Sequence, residues 1–315
     1  MSNWAARIEF SRFHFFKLLE NDTAVRRIYS SRHGVSLGTG QGGQTRVAQP
    51  SNCNSPKLAL GLRSTKLIEE LLSLSLSPMQ LSIDLHCHSR FSADGVAEPE
   101  ALIKEARAKG LHGFAITDHN TCACVDYFMQ HGFMNKEGLP VDGLLIIPGQ
   151  EITTAEGHLL ALGITLPDLK GIPALEAVAL IHQSGGLAIP PHPYDFFRAG
   201  IREPVLETLN IDALEVFNAA TTLKRYNKHA FNYAQGRGLP MTAASDAHDH
   251  VALGTAYSIL EADEFSVRGV LNAIRKGPAL RQRYLTPANA LKKTWNNVFR
   301  LRRKRQPKPA PEKVA

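Results

Sequence analysis

Between Asp84 and His248 the chain repeatedly sets imidazoles and carboxylates beside short apolar runs. The first group is Ile83-Asp84-Leu85-His86-Cys87-His88. Successive side chains of an extended segment point to opposite faces, so His86 and His88 share one face. Cys87 then faces the other way and is expected to pack rather than react. Asp94 follows in Ser92-Ala93-Asp94-Gly95, and Asp118 and His119 stand in Thr117-Asp118-His119-Asn120. Glu151 comes after Leu144-Leu-Ile-Ile-Pro148, His158 after Gly157, and His192 between Pro191 and Pro193. Ser245-Asp246-Ala247-His248 repeats the i, i+2 pairing. Imidazole nitrogens mixed with carboxylates suit Zn, Mn or Fe; thiolate-rich sites and all-oxygen cages are not indicated. The nine candidate ligands (His86, His88, Asp94, His119, Glu151, His158, His192, Asp246 and His248) are too many for one ion and suit two or three. A carboxylate such as Glu151 can bridge two of them.

These residues need a scaffold that brings them to one place. Short strands are predicted over 81–85, 113–117, 144–148, 159–164, 187–190, 213–217 and 241–244. Helices are predicted over 99–109, 172–183, from 204 to 208, 224–237 and 266–276, most of them closed by glycine (Gly110, Gly185, Gly238, Gly277). Alternating β and α at short spacing argues for a parallel sheet with helices outside it, closed or nearly closed into a barrel. Reactive groups in such folds gather at the carboxyl ends of the strands, which is where nearly every candidate ligand falls.

The chain has 315 residues, 43% of them hydrophobic and 21% charged, enough for a substantial core. Its net charge of +7 invites a nucleic-acid partner. The basic excess, however, lies in residues 1–78 and in the run Arg300-Leu-Arg-Arg-Lys-Arg305, around a near-neutral middle. Residues 1–78 are expected to be a poorly ordered extension, with a short amphipathic helix over 64–76 and Met79 as a candidate start. Residues 79–285 form the expected catalytic domain, and 286–315 a basic, largely disordered tail. Four cysteines make no disulfide framework, which suits a reducing cytoplasm. Cys122-x-Cys124 is weak evidence for structural zinc, because no second pair exists. No run of about 18 apolar residues predicts a membrane span.

Taken in order, DLHCHS, SADG, TDHN, the Glu151 turn, PHP and SDAH resemble the PHP family (polymerase and histidinol phosphatase domain). The resemblance covers roughly residues 82–280 and extends to the C-terminal region of small stand-alone members. It implies a distorted (β/α)7 barrel and a trinuclear metal site. On that resemblance, His86, His88, Glu151 and Asp246 would hold one ion. Glu151, His158 and His192 would hold a second, and Asp94, His119 and His248 a third. An Asp at position 94 matches the small phosphoesterase branch better than the histidinol phosphatase branch.

The implied chemistry is hydrolysis of a phosphoester by metal-activated water, with no side-chain nucleophile. Asp118 is a candidate for proton transfer or for orienting His119. Arg198 and Arg202, and also Arg90, are candidates for contacting the substrate phosphate. Asn218 is expected to face the site from the end of its strand. The leading expectation is a hydrolase of small phosphate esters, of nucleotide or sugar phosphate type. The alternative is a 5′–3′ exonuclease or oligonucleotide phosphodiesterase, and a non-catalytic metal-binding module is a third class. The sequence is silent on oligomeric state.

Overall fold

A computed structural model describes residues 78–284. The expectations for the N-terminal extension and the basic tail lie outside these residues. The elements run β1 (Met79–Cys87), α1 (Pro99–Ala108), β2 (Gly113–Ile116), α2 (Ala123–Gln130), β3 (Leu145–Ile147) and β4 (Gly149–Thr153). They continue with β5 (His158–Leu162), α3 (Ala174–Gln183), β6 (Leu187–Ile189), α4 (Val205–Thr208), β7 (Leu214–Asn218) and α5 (Lys224–Arg237). β8 (Met241–Ala244), β9 (Tyr257–Ala262), α6 (Val267–Lys276) and β10 (Ala279–Arg281) complete the described chain.

Local sequence explains these elements. Pro99 opens α1 at a position where its missing N–H costs nothing, and Leu102 and Ala106 bury one helix face. Ser266 caps α6 by accepting from Gly269 N–H, and Gly277 follows its last turn. Gly238 closes α5 at φ 63, a left-handed conformation that glycine adopts without steric cost. Every residue of β2 and β3 is buried, as strands covered on both faces require.

The fold is mixed α/β, and it differs from the closed barrel expected. The described strands form three sheets: β10–β9–β1–β2–β3, β4–β5–β6 and β7–β8. Two features account for this. β4 and β5 pair antiparallel as a hairpin, with no helix between them. β9 and β10 add antiparallel to the outer side of β1. Backbone hydrogen bonds link the three sheets, more than one at a junction. Glu151 N–H donates to Asp118 O and Asn120 N–H to Glu151 O. Glu215 N–H donates to Pro190 O, Asp246 N–H to His86 O and His88 N–H to Ala247 O.

One apolar cluster lies beneath the strand ends. It joins Leu81, Ile83 and Leu85 of β1 with Leu145, Ile147, Leu160, Leu162 and Ile189, and with Val270 and Ile274 of α6. Each fully buried side chain of this size stabilises the fold by about 1.5–3 kcal/mol. A second cluster packs α3 and α5 on their strands, and a third packs α1 and α2. The polar ends of the strands therefore stand on a rigid apolar base.

Candidate metal centre

Glu151 is the centre of the site. It is 1% exposed and sits in the β4–β5 hairpin, opposite Leu160. Its Oε2 lies 3.1 Å from His86 Nε2, 3.1 Å from His88 Nε2 and 3.5 Å from His119 Nδ1. Its Oε1 lies 2.8 Å from His158 Nδ1 and 3.0 Å from His192 Nε2. Five imidazoles from four segments thus converge on one carboxylate. Asp246 Oδ1 closes the other side, 3.8 Å from His86 Nε2, 3.6 Å from His88 Nε2 and 3.3 Å from His248 Nδ1. Asp94 Oδ2 lies 2.9 Å from His248 Nε2 and 3.4 Å from His119 Nε2.

Ligand atoms within 4.8 Å of one another form four overlapping groups: His88, Asp94, His119 and His248; His86, His88 and Glu151; His86, His192 and Asp246; and His119, Glu151 and His158. The structure brings all nine predicted ligands together. The groups cut across the three sets that the family resemblance implies, with His88 next to Asp94 and His192 next to Asp246. No cysteine joins such a group among the described residues. Cys87 packs away from the site, its Sγ–H pointing at Ala115 O, and Cys124 is buried in the cluster around Phe128.

The donor set fits divalent metal. Nδ1 of His119, His158 and His192 and Oδ1 of Asp246 are buried without a hydrogen bond among the described residues. Nδ1 of His119 and His158 and Oδ1 of Asp246 are instead crowded against other donor atoms of the cluster, and an ion between them would satisfy them as buried polar atoms require. The charge balance points the same way. Burial alone would raise Glu151, but the facing His119, His158 and His86 hold its carboxyl well below the usual range. Burial alone would lower His86, yet Asp246, Glu151 and Glu215 raise it well above its ordinary value. His88 likewise rises to about 9 against its burial, through Asp246 and Glu151. His192 is instead pushed down by burial. Without metal the carboxylates must be balanced by crowded imidazolium protons; divalent ions supply that charge directly.

A second layer of residues orients these donors. His86 Nδ1–H donates to Glu215 Oε2 at 3.0 Å. Glu215 Oε1 accepts from His192 N–H at 2.9 Å and from Asn218 Nδ2 at 2.8 Å. Asn218 Nδ2 also lies 3.0 Å from Asp246 Oδ2, so Asn218 faces the site as expected. Asp84 ties β1 to the strand after it in space, accepting from Ser245 N–H at 3.0 Å and Gly254 N–H at 2.8 Å. Burial pushes its carboxyl up to about 6. Ser92 Oγ donates to Asp94 at 2.9 Å and accepts from His119 N–H at 3.2 Å. Glu215 and Ser92 were not anticipated. The available signal for Glu215 was a lone acid inside the apolar strand ALEVF, where a buried charge must have partners.

The remaining candidates divide clearly. Asp118 is buried, and both its oxygens accept from Ser89: Oδ1 from the backbone N–H and Oδ2 from the hydroxyl, each at 2.6 Å. It therefore fixes the loop that follows His88. Arg198 reaches into the cluster and pairs with Asp246 Oδ2, its buried Nε having no hydrogen bond among the described residues. Arg202 stays at the rim, its guanidinium 5.5 Å from the centre of the Phe196 ring. Arg90 is half exposed and pairs with Glu98 at 2.6 Å, outside the cluster.

The chain is similar to known proteins in sequence and in fold. The PHP domain family matches residues 84–233, and the PHP-associated family matches residues 224–278. The chain is 34% identical to an uncharacterised protein of Methanocaldococcus jannaschii over 149 residues, which is 44% of this chain and 82% of the relative. It is 30% identical over 189 residues to a 5′-3′ exoribonuclease of Haemophilus influenzae, covering 54% of this chain and 66% of the relative. Among solved structures, the fold is similar to a two-domain protein of Bacteroides vulgatus containing a predicted PHP-like metal-dependent phosphoesterase. The TM-score is 0.53 at 21% identity, over 70% of each chain.

Proposed function

The chain belongs to the PHP-domain family of metal-dependent phosphoesterases, and on that premise we propose that it hydrolyses small phosphate esters of nucleotide or sugar phosphate type at the Glu151-centred cluster. The observation that carries this reading is the convergence of buried imidazole and carboxylate donors on Glu151, with Arg198 at its edge. His86, His88, Asp94, His119, Glu151, His158, His192, Asp246 and His248 would hold two or three ions, Mn, Zn or Fe. The chemistry such ions supply when bound is polarisation of the phosphoryl group and ionisation of a water near neutral pH.

The chain's own residues do the rest. Arg198 carries a planar fork of donors that matches phosphoryl oxygens and is held at the cluster by its pairing with Asp246. Glu215 keeps the His86 proton on Nδ1, leaving the Nε2 lone pair for an ion. Asp118 positions the His88 loop through Ser89. We read the three sheets as parts of one distorted (β/α)7 barrel, a reading supported by the backbone hydrogen bonds that link them. No described helix is long and apolar enough to cross a membrane. The free thiols Cys87, Cys122 and Cys124 suit a reducing, cytoplasmic setting.

A second reading, release of nucleotides from an oligonucleotide end, is favoured by the identity to the Haemophilus influenzae exoribonuclease. The test is turnover of an aryl phosphate, a nucleotide panel and a short 5′-phosphorylated oligonucleotide with added Mn. His86→Ala and Asp246→Ala are expected to fall to background on every substrate. Wild type matching both variants throughout would overturn the enzymatic reading.

A further inference from the structure

The turn that carries Arg198 also carries the two most exposed large apolar residues among those described. Phe196 is 65% and Phe197 69% exposed. Apolar residues scattered singly on a surface are ordinary, but these are adjacent, and the next residue reaches a cluster carboxylate. Their ring centres lie 5.8 Å apart at 81°, so each presents a face in a different direction.

The turn is rigid. The buried carboxylate of Asp195 accepts from Phe197 N–H at 3.2 Å, from Thr222 N–H at 2.7 Å and from the Thr221 hydroxyl at 3.1 Å. Gly200 N–H donates to Asp195 O at 2.9 Å. A Cβ on Gly200 would stand 2.2 Å from His192 O, so the turn is pressed against the backbone of a ligand residue. His158 N–H donates to Ala199 O at 2.8 Å, which ties it to a second ligand residue. Exposed rings on a mobile loop would be a weak docking surface. Rings fixed on the turn that carries Arg198 can bind a flat group with little further ordering cost.

We propose that Phe196 and Phe197 form a stacking platform for the nucleobase of the substrate, because two exposed phenyl rings on a clamped turn adjoin Arg198 at the metal cluster. This rests on the phosphoesterase reading above and narrows its substrate class to nucleotides, free or at a strand terminus. Phe196 and Phe197 directly precede Arg198, so on this proposal the esterified substituent of a phosphate held at Arg198 lies against the rings. A nucleobase offers them a planar π face, which a sugar phosphate lacks. Arg202, beside the Phe196 ring, adds positive charge to the same rim.

The test uses the full chain with Mn and three substrates: AMP, a 5′-phosphorylated dinucleotide and ribose 5-phosphate. kcat/KM is measured for wild type, for the Phe196→Ala/Phe197→Ala double variant and for Phe197→Trp. In the double variant, the ratio of nucleotide to ribose 5-phosphate kcat/KM is expected to fall by about 5- to 100-fold, through KM. Phe197→Trp is expected to hold the ratio. A fall with AMP identifies the mononucleotide as occupant; a fall confined to the dinucleotide identifies a strand end. An unchanged ratio overturns the platform, as does wild type preferring ribose 5-phosphate. Loss of dimerisation in the double variant at unchanged ratio assigns the rings to a self-contact and also overturns it. Wild type that turns over ribose 5-phosphate with no nucleotide preference sinks the platform alone. Wild type that turns over no phosphoester removes the phosphoesterase reading, and the platform with it.

Discussion

Replacing Glu215 with Gln removes one charge and almost no volume, yet it is expected to weaken metal binding by 10- to 100-fold. Glu215 Oε1 accepts from His192 N–H and Asn218 Nδ2, and its Oε2 accepts from His86 Nδ1–H. A glutamine must keep its oxygen toward the two fixed donors. Its amide NH2 then faces His86 Nδ1 and can only donate. The His86 proton moves to Nε2, the atom nearest Glu151 and His88, and the ligand lone pair is lost. Loss of such an orienting partner typically costs 10- to 100-fold in metal affinity, about 1.4–2.7 kcal/mol. Glu215→Ala should cost more. Of its three donors Asn218 Nδ2 keeps Asp246 Oδ2, but His192 N–H and His86 Nδ1–H are stranded at about 1–3 kcal/mol each, so the metal-free fold itself should lose about 2–6 kcal/mol. Mn binding by calorimetry gives the first number, and denaturant unfolding of the metal-free chain gives the second. A Glu215→Gln variant that binds Mn within twofold of wild type would refute the tautomer argument. A Glu215→Ala variant as stable as wild type would refute the claim that Glu215 organises His192 and His86.

Removal of metal by a chelator should lower the melting temperature by about 5–10 °C, since an ion at 100 times its Kd adds about 2.7 kcal/mol; equal melting with Mn and with chelator would count against a metal centre. The same melts should depend on pH in opposite ways. His86 and His88 are raised in the metal-free fold, His88 to about 9, so their contribution is complete below the unfolded histidine value near 6.5 and is lost as pH rises toward 9. The chelated chain should therefore melt lower as pH goes from 6.5 to 9. The Mn-loaded chain should not follow it, because metal binding displaces those protons more easily at higher pH; a flat chelated profile would contradict the assigned charge states. Gly95→Ala should reduce the number of Mn ions bound: a Cβ there would stand 1.9 Å from Ser89 O, so the loop presenting Asp94 to His119 and His248 must move. Unchanged stoichiometry would show that Asp94 is not a ligand.

Much of the scaffold was legible because single segments carry their own signals. The strands at 81–85, 113–117, 187–190 and 213–217 are compact apolar runs, and α5 and α6 end at glycines in the expected places. The prediction started α3 at Ile172, whereas Pro173 caps it and the helix begins at Ala174. Four elements escaped notice, the short strand β10 among them. Gly149-Gln150-Glu151 looks like a polar turn, yet it is strand β4, buried because β5 covers it and the site needs its carboxylate. α2 hides its buried face among Cys124, Val125 and Phe128, without a cap signal before it. β9 alternates buried and more open residues, as an antiparallel strand should, but it falls after the last motif, where the αβ pattern gave no reason to expect a strand. The nine ligand types were legible at strand ends. Their grouping in space was not, because His88 and His192 lie between neighbouring sets.

The irregularities of the sheets have a common cause at the site. The β1–β2 register shifts between Asp84 and Cys87, and the β7–β8 register shifts between Glu215 and Phe217. Bulges of this kind re-aim side chains next to functional centres. Here His86 lies inside one shift and Glu215 borders the other, and the two side chains meet at 3.0 Å. His192 at φ 34 and Asp246 at φ 52 occupy the left-handed region, and Asn120, next to His119, is at φ 55. Strain of this kind costs about 1–3 kcal/mol per residue where it is not relieved locally. Relief is visible at His192: Glu215 accepts its N–H, and the bare Cα of Gly200 makes room beside its carbonyl. Regular ladders would point these donors outward along the strands. The breaks between sheets fall where the chain turns side chains inward toward Glu151, so the imperfect closure and the metal centre are two consequences of one arrangement.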